Sequence, residues 1–168
     1  MLKMQIENWK TRIDRLFEAK LYDEIVISNK VTKELTNFEF CLVPQQVDDK
    51  LNPPDPEEWI ERDFIISQSE HVYKKFLSND INSRQGSFVN NYDGIDNHCI
   101  SYFHHYVRDD KYCMNVYVRS MNYLANFVFD CYTFNLAYDN VFQFLKKDYP
   151  DVQKGFIRVF CFSLHIIE

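Results

Sequence analysis

Apolar residues recur at helical spacing near the start of the chain. Ile6, Trp9, Ile13, Leu16 and Phe17 share one face, with charged residues between them, which predicts an amphipathic helix over 4–19. The period then shortens toward two. A strand is predicted at 24–28, a turn at Asn29-Lys30, and a longer strand at 32–43. In that longer strand Leu35, Phe38, Phe40 and Leu42 alternate only in part with polar residues.

Residues 44–56 carry four prolines and three acids and read as a loop. Asp55 is placed to cap a helix whose first turn holds Glu57 and Glu58. That helix runs to about Leu77, with Trp59, Phe64, His71, Val72 and Phe76 as its inner face. A polar connection, a short strand at 86–90 and a turn-rich loop around Asp93-Gly94 follow. Strands at 100–107 and 112–119 flank Arg108-Asp109-Asp110-Lys111, a hairpin signal. A helix over 131–148 buries Phe134, Tyr138, Val141, Phe142 and Leu145 and ends at Pro150. The last strand, 155–167, is almost wholly apolar, so it is expected to be buried on both faces or to lie at an interface. This order gives a mixed α/β or α+β fold, and 168 residues suit one domain over 1–168.

Composition narrows the function classes. Aromatics make up 17% of the chain, which suits a sheet-rich core. The net charge of -6 argues against a general nucleic-acid binder but leaves room for a small anion held by a few arginines. The N-terminus lacks the apolar core of a signal peptide, and no run approaches the roughly 20 apolar residues that span a bilayer. Five cysteines without a CxxC pair read as reduced thiols, which favours the cytoplasm. No zinc-ligand spacing is present, and no metal is expected; His104 and His105 are neighbours on one strand and face opposite ways.

Several residues carry possible chemistry. Cys99 opens a hairpin strand, as a nucleophile or as a small core thiol. Arg119-Ser120 ends the return strand. A guanidinium fork followed by a hydroxyl suits phosphate, although a surface arginine paired to an acid looks the same in sequence. Asp130 lies among aromatics, where an unpaired carboxylate is costly; it either caps the next helix or faces a polar ligand. Arg84, within Ser83-Arg84-Gln85, is a second arginine suited to anion binding or to solvent. Cys113, Cys131 and Cys161 read as core thiols, and His165 as a core histidine or a ligand contact.

Cys99, a hairpin and Arg119-Ser120 together resemble the central motif of thymidylate synthases and phage deoxycytidylate (dCMP) hydroxymethylases. In that family an acid stands three residues after the arginine and an Asn or Asp eleven after it; here the positions hold Asn122 and Asp130. Asn82-Ser83-Arg84-Gln85 is similar to the family segment whose arginine crosses the dimer interface, 32–40 to an early strand, and Phe162-Ser163-Leu164-His165 to the "GSLH" strand. The likeness spans about 31–167. It implies a thymidylate synthase-like fold, a large mixed sheet packed by helices, and a homodimer formed through a sheet face. The implied activity is C5 hydroxymethyl or methyl transfer to a pyrimidine deoxynucleoside monophosphate, with 5,10-methylenetetrahydrofolate as donor. Cys99 would attack C6, with Asn122 standing where the family has its catalytic acid. Arg119, Ser120 and the partner's Arg84 would hold the phosphate, and His165 would touch the sugar. Asp130 would read the base and favour cytosine, because a carboxylate accepts from the 4-amino group. The alternatives are a non-catalytic nucleotide-binding or regulatory relative, and an unrelated interaction protein. Asn122 in place of the acid and Ile167 in place of a tyrosine depart from the family pattern.

Overall fold

A computed structural model describes residues 1–27, 30–46, 62–78, 81, 86–89 and 99–167. Within them the chain runs α1 (Leu2–Glu18), β1 (Asp23–Ile27), β2 (Lys30–Leu42), α2 (Arg62–Ser78), β3 (Ser87–Val89), β4 (Ile100–Arg108), β5 (Lys111–Val118), β6 (Met121–Asn122), α3 (Phe127–Asp148) and β7 (Gln153–Ile167). The fold is α+β, with a large mixed sheet packed by three helices. The strand order is β1-β2-β7-β5-β4-β3, and β6 also pairs with β7. Neighbours are antiparallel except β7 with β5 and with β6, which are parallel.

Apart from β6, which periodicity does not predict, the strands lie close to where it places them, and the hairpin turn is tight. Asp109 and Asp110 both take positive φ, 50° and 56°, which matches the right-handed twist of β4 and β5. Helix α1 buries Leu2, Ile6 and Ile13, and Trp9 donates its indole N–H to the Cys41 carbonyl at 2.9 Å. In α2, Val72 and Phe76 are buried as expected, but His71 is exposed; Trp59 and Asp55 lie outside the described residues. Lys30, expected in a turn, begins β2. Helix α3 begins at Phe127, four residues before its expected start. It is buried along most of its length, and Phe134, Ala137, Tyr138, Val141 and Leu145 fill the space above the sheet.

Strand β7 departs from the expectation of burial on both faces. Ile157, Val159, Cys161 and Leu164 are buried, whereas Phe156, Arg158 and Phe160 are only half-covered and Phe162 is 54% exposed. All three helices pack on the same side of the sheet. The opposite face carries Tyr102, Tyr106, Tyr117 and Phe160, each half-covered, with Tyr117 and Phe160 stacked at 5.1 Å.

Every central strand changes phase at one level. Inward positions are Leu35 and then Phe40 and Leu42 in β2, and Cys161 and then Leu164 in β7. They are Val118 and then Met121 across β5–β6, and Ile100 and then Phe103 in β4. Pairing is irregular at the same level. It skips Asn37, whose φ is 52°, passes over 119–120, and shifts by one residue between Ile100 and Tyr102. One extra residue in a strand turns all later side chains to the other face. In β2, β7 and β5–β6 the extra residue falls at the same level, so these strands stay in register there while the alternation reverses; in β4 it shifts the pairing with β5 by one residue. The partial alternation of 32–43 in the sequence is the trace of this reversal.

Candidate functional site

The irregular row gathers Cys99, Arg119, Ser120, Asn122 and His165. Cys99 immediately precedes β4, and its carbonyl accepts the Arg119 backbone N–H at 2.7 Å. Its thiol lies 3.9 Å from the Ser120 hydroxyl. Asn122 pairs with His165 across the parallel β6–β7 ladder, and the Tyr123 N–H donates to the His165 carbonyl at 2.8 Å. The Ser163 hydroxyl stands 3.5 Å from His165 Nδ1.

A cavity of about 480 Å³ opens at this end of the sheet. Lys30 and Thr32 of β2 line it, with Arg119 and Ser120 after β5 and Ser163, His165 and Ile167 of β7. These strand residues alternate with the inward Leu35 and Leu164, so the cavity lies on the face without helices. Arg119 and Lys30 supply positive charge and three hydroxyls supply hydrogen bonds, a set suited to an anion. Lys30, Thr32 and Ser163 were not singled out from sequence. Ser163 shares a face with His165 at ordinary strand spacing, Thr32 joins them through its pairing with Ile167, and Lys30 read as a turn.

Asp130 is placed differently. It lies in the first turn of α3, 8% exposed, so it is a helical residue and not the N-cap; Asn126 holds that position. Its N–H donates to the Asn126 carbonyl at 2.8 Å. A carboxylate there gains from the positive end of the helix dipole. The neighbouring Cys131 thiol is pushed well up by burial and then by the Asp130 charge. Cys161, beneath the row, is pushed up to about 12, first by burial, with Asp130, Cys99 and Glu34 adding to the shift. Asp130 does not line the cavity.

Asn122 spends its side-chain oxygen locally. Oδ1 accepts the backbone N–H groups of Leu124 at 3.1 Å and Ala125 at 3.2 Å. Arg84, with Ser83 and Gln85, lies outside the described residues.

Cys113, Cys131 and Cys161 are buried free thiols, as core residues should be, while Cys41 is exposed. His105 is buried in the core and His104 faces the other way, as strand alternation requires. Among the described residues no group of three His, Cys, Asp or Glu side chains is placed to hold a metal ion. No described helix is long and apolar enough to cross a membrane. No family model matches the chain, and no curated protein matches its sequence.

Proposed function

We propose that the chain binds a pyrimidine deoxynucleoside monophosphate, with dCMP favoured, and activates its C5 position through Cys99. One observation carries this reading: three separate stretches, Cys99, Arg119–Asn122 and His165, meet at one end of the sheet, where Arg119, Ser120 and His165 line the cavity, Cys99 touches Ser120 and Asn122 pairs with His165. Arg119 and Ser120 hold the 5′-phosphate, and His165 contacts the sugar. The Cys99 thiolate adds to C6, and the C5=C6 electron pair moves to C5, which takes a proton from water. Loss of a proton from C5 then expels the thiolate and restores the ring. Asp130 sets the preference for cytosine from the helix side, through the irregular row. Asp130 does not line the cavity, so its negative charge, and not a hydrogen bond to the base, favours a 4-amino donor over a 4-oxo group there.

The thymidylate synthase-like fold belongs to the same proposal, supported by the mixed sheet with helices on one face. A second copy covers the other face. Tyr102, Tyr106, Tyr117 and Phe160 form the apolar centre of that contact, and the partner's Arg84 completes the phosphate site. Sedimentation at micromolar concentration should give a dimer, and a monomer would remove the contribution of Arg84.

Bound 5,10-methylenetetrahydrofolate would supply the transferred carbon in a hydroxymethylase or methylase. The described lining does not fit it: no aromatic ring stands among those residues to stack on a pterin, and about 480 Å³ is the scale of one small ligand. No step is therefore derived through the folate. This misfit, with Asn122 where the family carries an acid, favours a second reading, a nucleotide-binding relative that does not turn over.

Exchange of the C5 proton of dCMP and dUMP with solvent separates the two. Exchange that disappears in Cys99→Ala supports C5 activation. Binding without exchange supports the binding module. Failure to bind any pyrimidine nucleotide removes both.

A further inference from the structure

The turn between β6 and α3 joins the cavity-lining strand β7 to the helix side of the sheet. Its N-terminal side is fixed to β7 by the Asn122–His165 pairing and by the bond from the Tyr123 N–H to the His165 carbonyl. Its C-terminal side becomes the first turn of α3, which carries Asp130. Between them Asn122 Oδ1 holds the Leu124 and Ala125 N–H groups, and the Asn122 carbonyl accepts the Asn126 N–H at 2.8 Å. Asn126 has no side-chain cap of its own, so the Asn122 side chain organises the approach to the helix. Tyr123 anchors the same turn to α1 through Asp14 at 2.6 Å and the Lys10 carbonyl at 3.1 Å.

We infer that Asn122 is a positioning residue: its side-chain oxygen fixes the β6–α3 turn, and so sets where Asp130 stands relative to His165. An oxygen committed to two backbone donors acts on a ligand through the helix it places. The consequence for base preference rests on the nucleotide reading above; the turn geometry does not. An aspartate at 122 would accept the same two N–H groups, whereas alanine removes both bonds.

Amide hydrogen exchange followed residue by residue tests the turn without any ligand. Asn122→Ala should raise exchange at Leu124 and Ala125 by about tenfold, the scale of a lost cap, and Asn122→Asp should leave it near wild type. Unchanged exchange in Asn122→Ala, or equal exchange in both variants, overturns the inference. Calorimetry with dCMP, dUMP and deoxycytidine supplies a readout that a merely structural residue would not move. Asn122→Ala should shrink the preference of dCMP over dUMP by about tenfold, restored in Asn122→Asp, while the gain of dCMP over deoxycytidine is kept. If wild type binds none of these ligands, the nucleotide reading falls and the exchange data alone decide the role of Asn122. If wild type prefers dCMP and Asn122→Ala keeps that preference in full, the positioning role falls and the nucleotide reading stands.

Discussion

The two faces of the sheet are built from the same four central strands and differ in almost everything else. On the helix side Phe103, Val116, Val118, Ile157 and Val159 are fully or almost fully buried under Phe134, Tyr138 and Val141. On the other side aromatic rings are half-covered, Arg158 lies 3.2 Å from Glu39, and a cavity opens beside Arg119 and His165. The helix face supplies stability through close packing. The open face keeps polar and ring groups accessible, which a ligand or a second copy requires. The irregular row connects the two, because it brings Cys99 and Ser120 onto the open face only 3.9 Å apart while Asp130 stays beneath.

The sharpest contrast is in stability. Phe134→Ala on the helix side should cost about 3–5 kcal/mol in urea unfolding, since a fully buried ring leaves a cavity. Phe160→Ala on the open face should cost under about 1 kcal/mol within one chain, and should instead weaken self-association. Equal losses in folding stability would mean the open face is as tightly packed as the other.

The helix face also holds a buried titrating group. His105 is fully buried, its Nδ1 is 2.5 Å from the Tyr112 hydroxyl, and its Nε2 has no partner among the described residues. Burial lowers its pKa to about 3, from an ordinary value near 6.5. Between those values the unfolded chain binds a proton that the folded chain refuses, so stability falls as pH drops from about 6.5 toward 3. The slope from this residue is at most about 1.4 kcal/mol per pH unit. Urea unfolding at several pH values should show that slope shrink in His105→Gln. An unchanged slope would assign the acid sensitivity elsewhere.

A smaller effect belongs to the open face. Arg119→Ala should weaken dCMP about ten- to hundredfold, the scale of a lost hydrogen-bonded charge contact, and leave deoxycytidine unchanged. Because Arg119 is exposed, folding stability should move little. Equal weakening of both ligands would take Arg119 off the phosphate.

Much of this was legible in the sequence, and the rest was hidden for identifiable reasons. Helix α1, the β4–β5 hairpin and α3 follow from apolar spacing and turn residues, which are local signals. The spacing of Cys99 and Arg119-Ser120 pointed to one end of a hairpin, where the chain places them. Ser163 lies two residues from His165 and alternates with it in the ordinary way, whereas Thr32 joins that face through its pairing with Ile167, which the sequence alone does not show. Asp130 read as a cap because Phe127 and Val128 look as strand-like as helical. The open face of β7 was masked by its own composition: Phe156, Phe160 and Phe162 are as apolar as the buried Ile157 and Val159, and only the position of the helices tells them apart.

Amide spectra of the isotope-labelled chain titrated with dCMP test the open-face site most directly. The account predicts shifts that saturate and cluster at Cys99, Arg119, Ser120, Asn122, Ser163 and His165. Absence of saturable shifts, or shifts confined to the separate groove between Lys20–Asp23 and Glu34–Glu39, would contradict it.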